Sequence, residues 1–250
     1  MSLEINKIHL GDSYELIKQI PDKSIDCIYT DIPYLYDSGG AGNSNLSKRI
    51  ENMKNKMIYD NIYDGIDYKI FDEFIRISKN INIFIWCSRL QLYNVMTYFI
   101  PKGFNFNLLT WNKTNPVPAT NNTWLPDIEY CLHFKGLNIG MNDGYHLKSK
   151  WFTSPLNISD KSFYDHPTIK PLELVKRHLE HATQPNDLIL DCFSGSGTTC
   201  VAAKELGRRF IGIEIDNNYH KISVDRLNGI TSNGQTSIFT NFKNMEDNKL

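Results

Sequence analysis

Short apolar runs that end at polar or turn residues recur along the chain and predict the strands of a sheet. The predicted strands cover 5–10, 25–30, 81–87, 104–111, 127–134, 188–191 and 209–214. Between them, apolar positions at helical spacing predict helices over 14–20, 68–77, 90–99, 171–182 and 200–206. Strands that alternate with helices in this way are typical of an α/β fold.

Three stretches lack a sustained apolar period. Residues 35–64 contain the run from Gly39 to Asn43 and predict a mobile loop, since long unstructured loops in compact domains are commonly functional. Residues 135–165 are basic and aromatic and predict a small recognition insert. Residues 229–250 are polar and predict a loosely held tail. We therefore expect one domain over 1–228, followed by the tail.

Composition and charge exclude several classes of protein. With 41% hydrophobic and 22% charged residues, no signal peptide and no 18-residue apolar run, the chain predicts a cytoplasmic globular protein. The five cysteines form no CxxC pair, so we expect neither a disulfide framework nor a metal site. The formal net charge of -1 does not indicate a polyanion-binding protein, but the segments 41–62 and 145–181 are mildly basic and suit contact with nucleic acid on one face.

The first candidate for chemistry is Asp31-Ile32-Pro33-Tyr34, directly after the predicted strand 25–30. Ligands of open α/β sheets bind at the carboxyl ends of the strands, where this motif would offer a carboxylate, carbonyl groups and an aromatic ring. Taken alone, the motif fits better a strand that ends in an ordinary proline turn.

The second candidate is the glycine loop from Cys192 to Thr199, with an acid, Glu214, 19 residues after Gly195. Glycines after a strand let backbone N–H groups approach a ligand, and an acid at the end of the next strand can bind ribose hydroxyls, so a nucleoside cofactor is predicted. A P-loop would need Lys where Thr198 stands, and a dinucleotide fingerprint would need a small residue in place of Cys200. Of the nucleoside cofactors considered, S-adenosylmethionine remains. The alternative is a tight turn that binds no cofactor.

Together the two motifs resemble those of the beta-class amino-group DNA methyltransferases, which methylate adenine N6 or cytosine N4. That class has Asp-Pro-Pro-Tyr or Ser-Pro-Pro-Tyr before Phe-x-Gly-x-Gly, a circularly permuted order that this chain shares. Further motifs in the family's order are Gly11-Asp12, Trp111-Asn112-Lys113 and the segment from His166 to Pro171. The resemblance covers residues 5–228. The chain departs from the pattern at Ile32, where the family has proline.

The resemblance implies a three-layer Rossmann-like sandwich with a mostly parallel seven-stranded sheet, in which the strand ending at Asp191 lies between the catalytic strand and the strand ending at Glu214. It implies methyl transfer from S-adenosylmethionine to N6 of an adenine flipped out of double-stranded DNA. Cytosine N4 methylation, a non-catalytic DNA-binding regulator and a nucleotide-binding oxidoreductase remain alternatives. A homodimer and a cognate restriction nuclease are further expectations from the family.

The resemblance also implies the site residues. The implied catalytic residues are Asp31, Ile32, Pro33 and Tyr34, with Ile32 acting through its backbone carbonyl. The implied cofactor-binding residues are Asp12, His166, Thr168, Lys170, Asp191, Phe193, Gly195, Gly197, Thr198 and Glu214.

Overall fold

A computed structural model describes residues 3–35, 65–116, 124–137, 139–156 and 169–230. Its elements are β1 (Lys7–Leu10), α1 (Ser13–Leu16), β2 (Cys27–Asp31), α2 (Ile70–Ile77), β3 (Asn82–Cys87), α3 (Leu92–Phe99), β4 (Asn105–Lys113), β5 (Ile128–Lys135), β6 (Trp151–Ser154), α4 (Leu172–Ala182), β7 (Leu188–Asp191), α5 (Thr198–Glu205), β8 (Arg209–Glu214) and α6 (Asn217–Leu227). None of these helices is both long and apolar enough to cross a membrane.

The described strands form one sheet in the order β1-β8-β7-β2-β3-β5-β4-β6. Every neighbouring pair is parallel except the two pairs that include β5, so β5 alone runs in the opposite direction. The strand ending at Asp191 lies between β8 and β2, as predicted. The carboxyl ends of β2, β7 and β8 therefore meet at one edge of the sheet.

The prediction of seven strands is wrong, because the described sheet has eight. The additional strand, β6, lies within the predicted insert and pairs in parallel with β4, with Trp151 opposite Thr110. Its four residues are exposed or only partly buried, so no apolar period marks them in the sequence. The Trp111 indole N–H donates to Ser154 Oγ at 2.9 Å, and the strand is thus held by its neighbour.

Side chains of the central strands alternate between two cores, as the strand geometry requires. In β3, Ile83 and Ile85 join a core with helices α2 and α3, whereas Phe84 and Trp86 join a core with helices α4 and α5. The sheet is therefore covered on both faces, and the three-layer α/β sandwich is confirmed. All five cysteines are buried, and none forms a disulfide within the described residues.

Several predictions concern residues outside the described ranges. They are the loop over 36–64, part of the insert at 157–165, the site residues His166 and Thr168, and the tail from 231 onward. These stay predictions. The helix α6 was not expected from the sequence. Its N-cap is Asp216, whose carboxylate accepts hydrogen bonds from the N–H groups of Asn218 and Tyr219 at 2.8 and 2.9 Å.

Candidate active site

A hydrogen bond between two buried side chains joins the two predicted motifs. Thr30, just before the predicted catalytic motif, donates its hydroxyl to Asp191 Oδ1 at 2.9 Å. The same oxygen accepts the N–H of Phe193 at 3.2 Å. Burial raises the pKa of Asp191 to about 7, against these hydrogen bonds, which lower it. The carboxylate of Asp191 thus ties strand β2 to the start of the glycine loop.

The glycine loop turns sharply into helix α5, with Gly195 and Gly197 at φ of 49° and 77°. A Cβ on Gly197 would lie 2.9 Å from Ser223 Cβ of helix α6, so this glycine allows close packing within the protein. The hydroxyl of Thr198 accepts a hydrogen bond at 2.7 Å from the buried guanidinium of Arg226. Helix α6 therefore packs against the glycine loop and holds it in place.

Glu214 ends strand β8 and faces the same loop. Its Oε2 accepts the N–H of Gly195 at 2.7 Å, and its Oε1 accepts the N–H of Asp216 at 2.8 Å. Burial raises the pKa of Glu214, although hydrogen bonds from the backbone of Asp216, Gly195 and Ile215 lower it. A carboxylate has about four acceptor positions in all, so acceptor capacity is left for a ribose hydroxyl. This donor and acceptor set fits the ribose of a nucleoside cofactor.

The predicted cofactor residue Asp12 lies at the same edge as Glu214. The N–H of Gly11 donates to the Glu214 carbonyl at 2.8 Å, which brings the end of β1 against the end of β8. Asp12 caps helix α1 by accepting the N–H of Tyr14 at 2.8 Å. The turn that carries Asp12 is therefore fixed beside the glycine loop.

The predicted catalytic motif leaves the sheet as a buried extended segment. The N–H of Ile32 donates to the Trp86 carbonyl at 3.1 Å, and the Ile32 side chain is 1% exposed in the core against α2 and α3. The buried amide of Gln91 donates to the Pro33 carbonyl at 2.9 Å. The side chain at the position where the chain departs from the family is thus a core side chain, and an apolar residue suits it.

Lys170 places its ammonium group between two carboxylates. It forms an ion pair with Asp31 Oδ2 and a second, at 2.9 Å, with Glu129 Oε2. It also donates to the Tyr34 hydroxyl at 3.2 Å. The other oxygen of Glu129, Oε1, pairs with Lys113 at 2.9 Å. Acidic and basic side chains therefore alternate in space in the order Asp31, Lys170, Glu129 and Lys113.

The charges in this group respond to burial and to one another. Burial raises the pKa of Asp31, and the Lys170 ammonium opposes that rise without cancelling it. Burial acts the same way on Glu129, but Lys170 and Lys113 outweigh it and lower the pKa of Glu129 to about 2. For Lys170, the two carboxylates outweigh burial and raise its pKa. Asp31 Oδ1 is buried and, among the described residues, has no hydrogen-bond partner.

The structure brings together the predicted residues in two groups. The first group lies in or beside the glycine loop and contains Asp12, Asp191, Phe193, Gly195, Gly197, Thr198 and Glu214. The second group lies at the end of β2 and contains Asp31, Ile32, Pro33 and Tyr34. Lys170, predicted beside the cofactor, contacts Asp31 and Tyr34. Its cofactor role stays a prediction.

Three residues that the sequence reasoning missed support these groups. They are Glu129, Gln91 and Arg226. Glu129 carried one usable signal, because it is a carboxylate inside a predicted strand and stands between Ile128 and Tyr130. The contacts of Gln91 and Arg226 join segments distant in sequence, and no local pattern marks them.

Comparison with known proteins agrees with this geometry. The sequence model of the N6/N4 family described as DNA methylase matches residues 25–225. The chain belongs to the N6/N4 DNA methylase family. Among its relatives, the type II methyltransferase M2.LlaDCHI of Lactococcus lactis subsp. cremoris is 35% identical over 238 residues, 87% of each chain. The type II methyltransferase M2.DpnII of Streptococcus pneumoniae is 33% identical over 237 residues, again 87% of each chain.

A solved member of similar fold has been captured with the cofactor. The crystal structure of the M1.HpyAVI-SAM complex is similar to this chain with a TM-score of 0.65 and 26% identity, over 88% of this chain and 98% of that one. S-adenosylmethionine is thus the cofactor of this DNA methylase, and it supplies an electrophilic methyl group on a sulfonium. The chain is an amino-methyltransferase of the restriction-modification kind.

Proposed function

We propose that this DNA methylase is site-specific and methylates the exocyclic N6 amino group of adenine. The observation that carries the proposal is Asp31, a carboxylate at the carboxyl edge of β2 that has one buried oxygen without a donor among the described residues. Unsatisfied buried acceptors are rare and cost about 1–3 kcal/mol, and they are tolerated where a ligand supplies the donor. Asp rather than Ser at this position favours adenine within the family resemblance.

The proposed role of Asp31 follows from the chemistry of the amine. The lone pair of an exocyclic amine is delocalised into the ring, so the nitrogen is a poor nucleophile. Acceptance of its two hydrogens by the Asp31 carboxylate and the Ile32 carbonyl would draw the nitrogen towards tetrahedral geometry. The cofactor would supply the methyl group, its carbon–sulfur bond breaking as the N–C bond forms so that a neutral thioether leaves. One amino proton would afterwards pass to water. Positioning and electrostatics would supply most of the acceleration.

Tyr34 is the proposed stacking partner of the target base. Flipping a base out of the duplex costs a few kcal/mol, and stacking on an aromatic ring recovers about 1–3 kcal/mol. The Tyr34 hydroxyl is 3.2 Å from Lys170 Nζ and 3.4 Å from Glu129 Oε2, so these contacts restrain the ring. The proposed cofactor residues are those around the glycine loop, together with His166, Thr168 and Lys170.

Digestion of methylated DNA to nucleosides tests the proposal. Purified protein is incubated with unmethylated genomic DNA and S-adenosylmethionine labelled in its methyl group, and the nucleosides are separated by mass. We expect labelled N6-methyl-2′-deoxyadenosine from the wild-type protein and none from Asp31→Ala, which should still bind the cofactor. Labelled N4-methyl-2′-deoxycytidine would establish the cytosine alternative. Binding of cofactor and DNA without any methyl transfer would establish the regulator.

Two further expectations accompany the proposal. A homodimer and a cognate restriction nuclease are proposed from the family resemblance alone. Sedimentation of the purified protein with and without DNA measures the first. The second requires a nuclease that cleaves the same site and is blocked when this protein has methylated it.

A further inference from the structure

We propose that Lys170, held in place by Glu129, is a positioning residue for Asp31, which it keeps ionised and fixes in orientation by occupying one carboxylate oxygen. The inference rests on the proposed function, since it assigns a role within the same site. It does not require the target base to be adenine, because either exocyclic amine needs an ionised acceptor.

The surroundings of Lys170 leave its ammonium little freedom. Its side chain is 8% exposed, and the ammonium lies 5.2 Å from the centre of the Trp86 ring and 5.4 Å from that of Tyr34. A buried lysine without partners tends to lose its proton, whereas two neighbouring carboxylates favour the charged form. Lys170 is therefore a fixed positive charge beside Asp31.

Glu129 holds Lys170 from the side opposite Asp31. It is itself held by Lys113, and the side chains of Glu129 and Lys113 are 21% and 13% exposed. Because Glu129 pairs with both lysines, it fixes the position of the Lys170 ammonium. Its negative charge also partly offsets the effect of that ammonium on Asp31. Removal of the Glu129 charge should thus act on Asp31 in the direction opposite to removal of Lys170.

The other titratable groups that face Asp31 in the described residues do not supply a positive charge. Cys87 of β3 and Cys131 of β5 are thiols whose pKa is raised by burial, so they are neutral. Asp191 of β7 is acidic, the Tyr29 phenol of β2 has a pKa raised by burial, and Tyr34 presents a hydroxyl to Lys170. Among the described residues, Lys170 is therefore the cation that pairs with Asp31.

This arrangement predicts opposite shifts in two variants. In Lys170→Met, burial and Glu129 act on Asp31 unopposed, so Asp31 should ionise about 1–3 pH units higher. In Glu129→Gln, which keeps the shape of the side chain, Asp31 should ionise at lower pH. Lys176→Met is the matched control, because Lys176 is a lysine of α4 that pairs with Glu173 and Glu205, away from Asp31.

Two measurements test these shifts in the full-length protein. The first is the pH dependence of the single-turnover rate of methyl transfer to DNA, whose acid limb reports ionisation of an essential carboxylate. The second is the carboxyl-carbon chemical shift of Asp31 in protein labelled with carboxyl-¹³C aspartate, assigned with Asp31→Asn. The chemical shift is followed without DNA and needs no turnover.

We expect the acid limb and the carbon titration to move up in Lys170→Met, down in Glu129→Gln and not at all in Lys176→Met. A merely structural role would lower the rate at every pH without moving the limb in opposite directions. An Asp31 titration unchanged in both variants would overturn the role of Lys170 while leaving the proposed function intact. If Lys170→Met does not fold, the test rests on Glu129→Gln, in which the ionisation of Asp31 should move to lower pH. Absence of methyl transfer by the wild-type protein would instead contradict the proposed function.

Discussion

Gly197→Ala should destabilise the protein by two separable effects. The first is backbone strain, because Gly197 has φ +77° and a residue with a Cβ pays about 1–2 kcal/mol in this left-handed region. The second is steric, because the new Cβ would lie 2.9 Å from Ser223 Cβ and 3.2 Å from Ile8 Cδ1. Overpacking of this kind costs about 1–3 kcal/mol. The expected loss in the free energy of unfolding is therefore about 2–5 kcal/mol.

Gly207→Ala separates the two effects. Gly207 has φ +70°, and apart from its neighbours in the chain none of the described residues has a heavy atom within 4 Å of a Cβ placed there. This variant should pay the backbone strain alone, about 1–2 kcal/mol. The difference between the two variants then measures the cost of forcing the glycine loop away from helix α6.

Urea unfolding followed by tryptophan fluorescence measures both free energies, since Trp86 and Trp111 are buried in the core. Calorimetric titration with S-adenosylmethionine should show weakened binding in Gly197→Ala, because the shifted loop moves the N–H of Gly195 away from Glu214, which it now contacts at 2.7 Å. Equal destabilisation by the two substitutions would refute the close packing of Gly197 against Ser223.

The other predictions concern acid stability and cofactor binding. His133 is buried, and burial lowers its pKa to about 3. Unfolded histidine takes up a proton near pH 6.5, so His133 makes folding less favourable as the pH falls from about 6.5 towards 3. The His133 ring donates from Nε2 to Asn82 Oδ1 at 3.0 Å, and His133→Gln retains a donor there. This variant should flatten the pH dependence of the unfolding free energy in urea titrations by up to about 1.4 kcal/mol per pH unit, and an unchanged slope would contradict the burial of a neutral imidazole. Glu214→Ala should weaken S-adenosylmethionine binding at least about tenfold, or about 1.4 kcal/mol, by calorimetry, and undiminished affinity would exclude Glu214 from the cofactor site.

The main layers of the fold could be predicted because their signals are local. Strands such as Ile83 to Cys87 are buried on both faces and appear in the sequence as continuous apolar runs. The strand order around β7 followed from the family resemblance and is confirmed. The edge strand β6 escaped prediction because its partner β4 determines its conformation, and its own residues carry no apolar period.

The sequence pointed to those residues of the candidate site that belong to contiguous motifs. It did not reveal the contacts that join distant segments. Asp31 and the glycine loop stand directly after buried strands, and parallel strands bring such ends together. The ion pair of Lys170 with Asp31 links residues 139 positions apart, and Glu129 joins them from strand β5. No local pattern of charge encodes that meeting, because it depends on the order of strands in the sheet.

The measurement that most directly tests the central claim is the mapping of modified bases in DNA from cells that express this chain, compared with cells that express Asp31→Ala. The proposed function predicts N6-methyladenine at one recurring short sequence with the wild-type chain and its absence with the variant. DNA that carries no methylated amino group in cells producing the folded wild-type protein would contradict it.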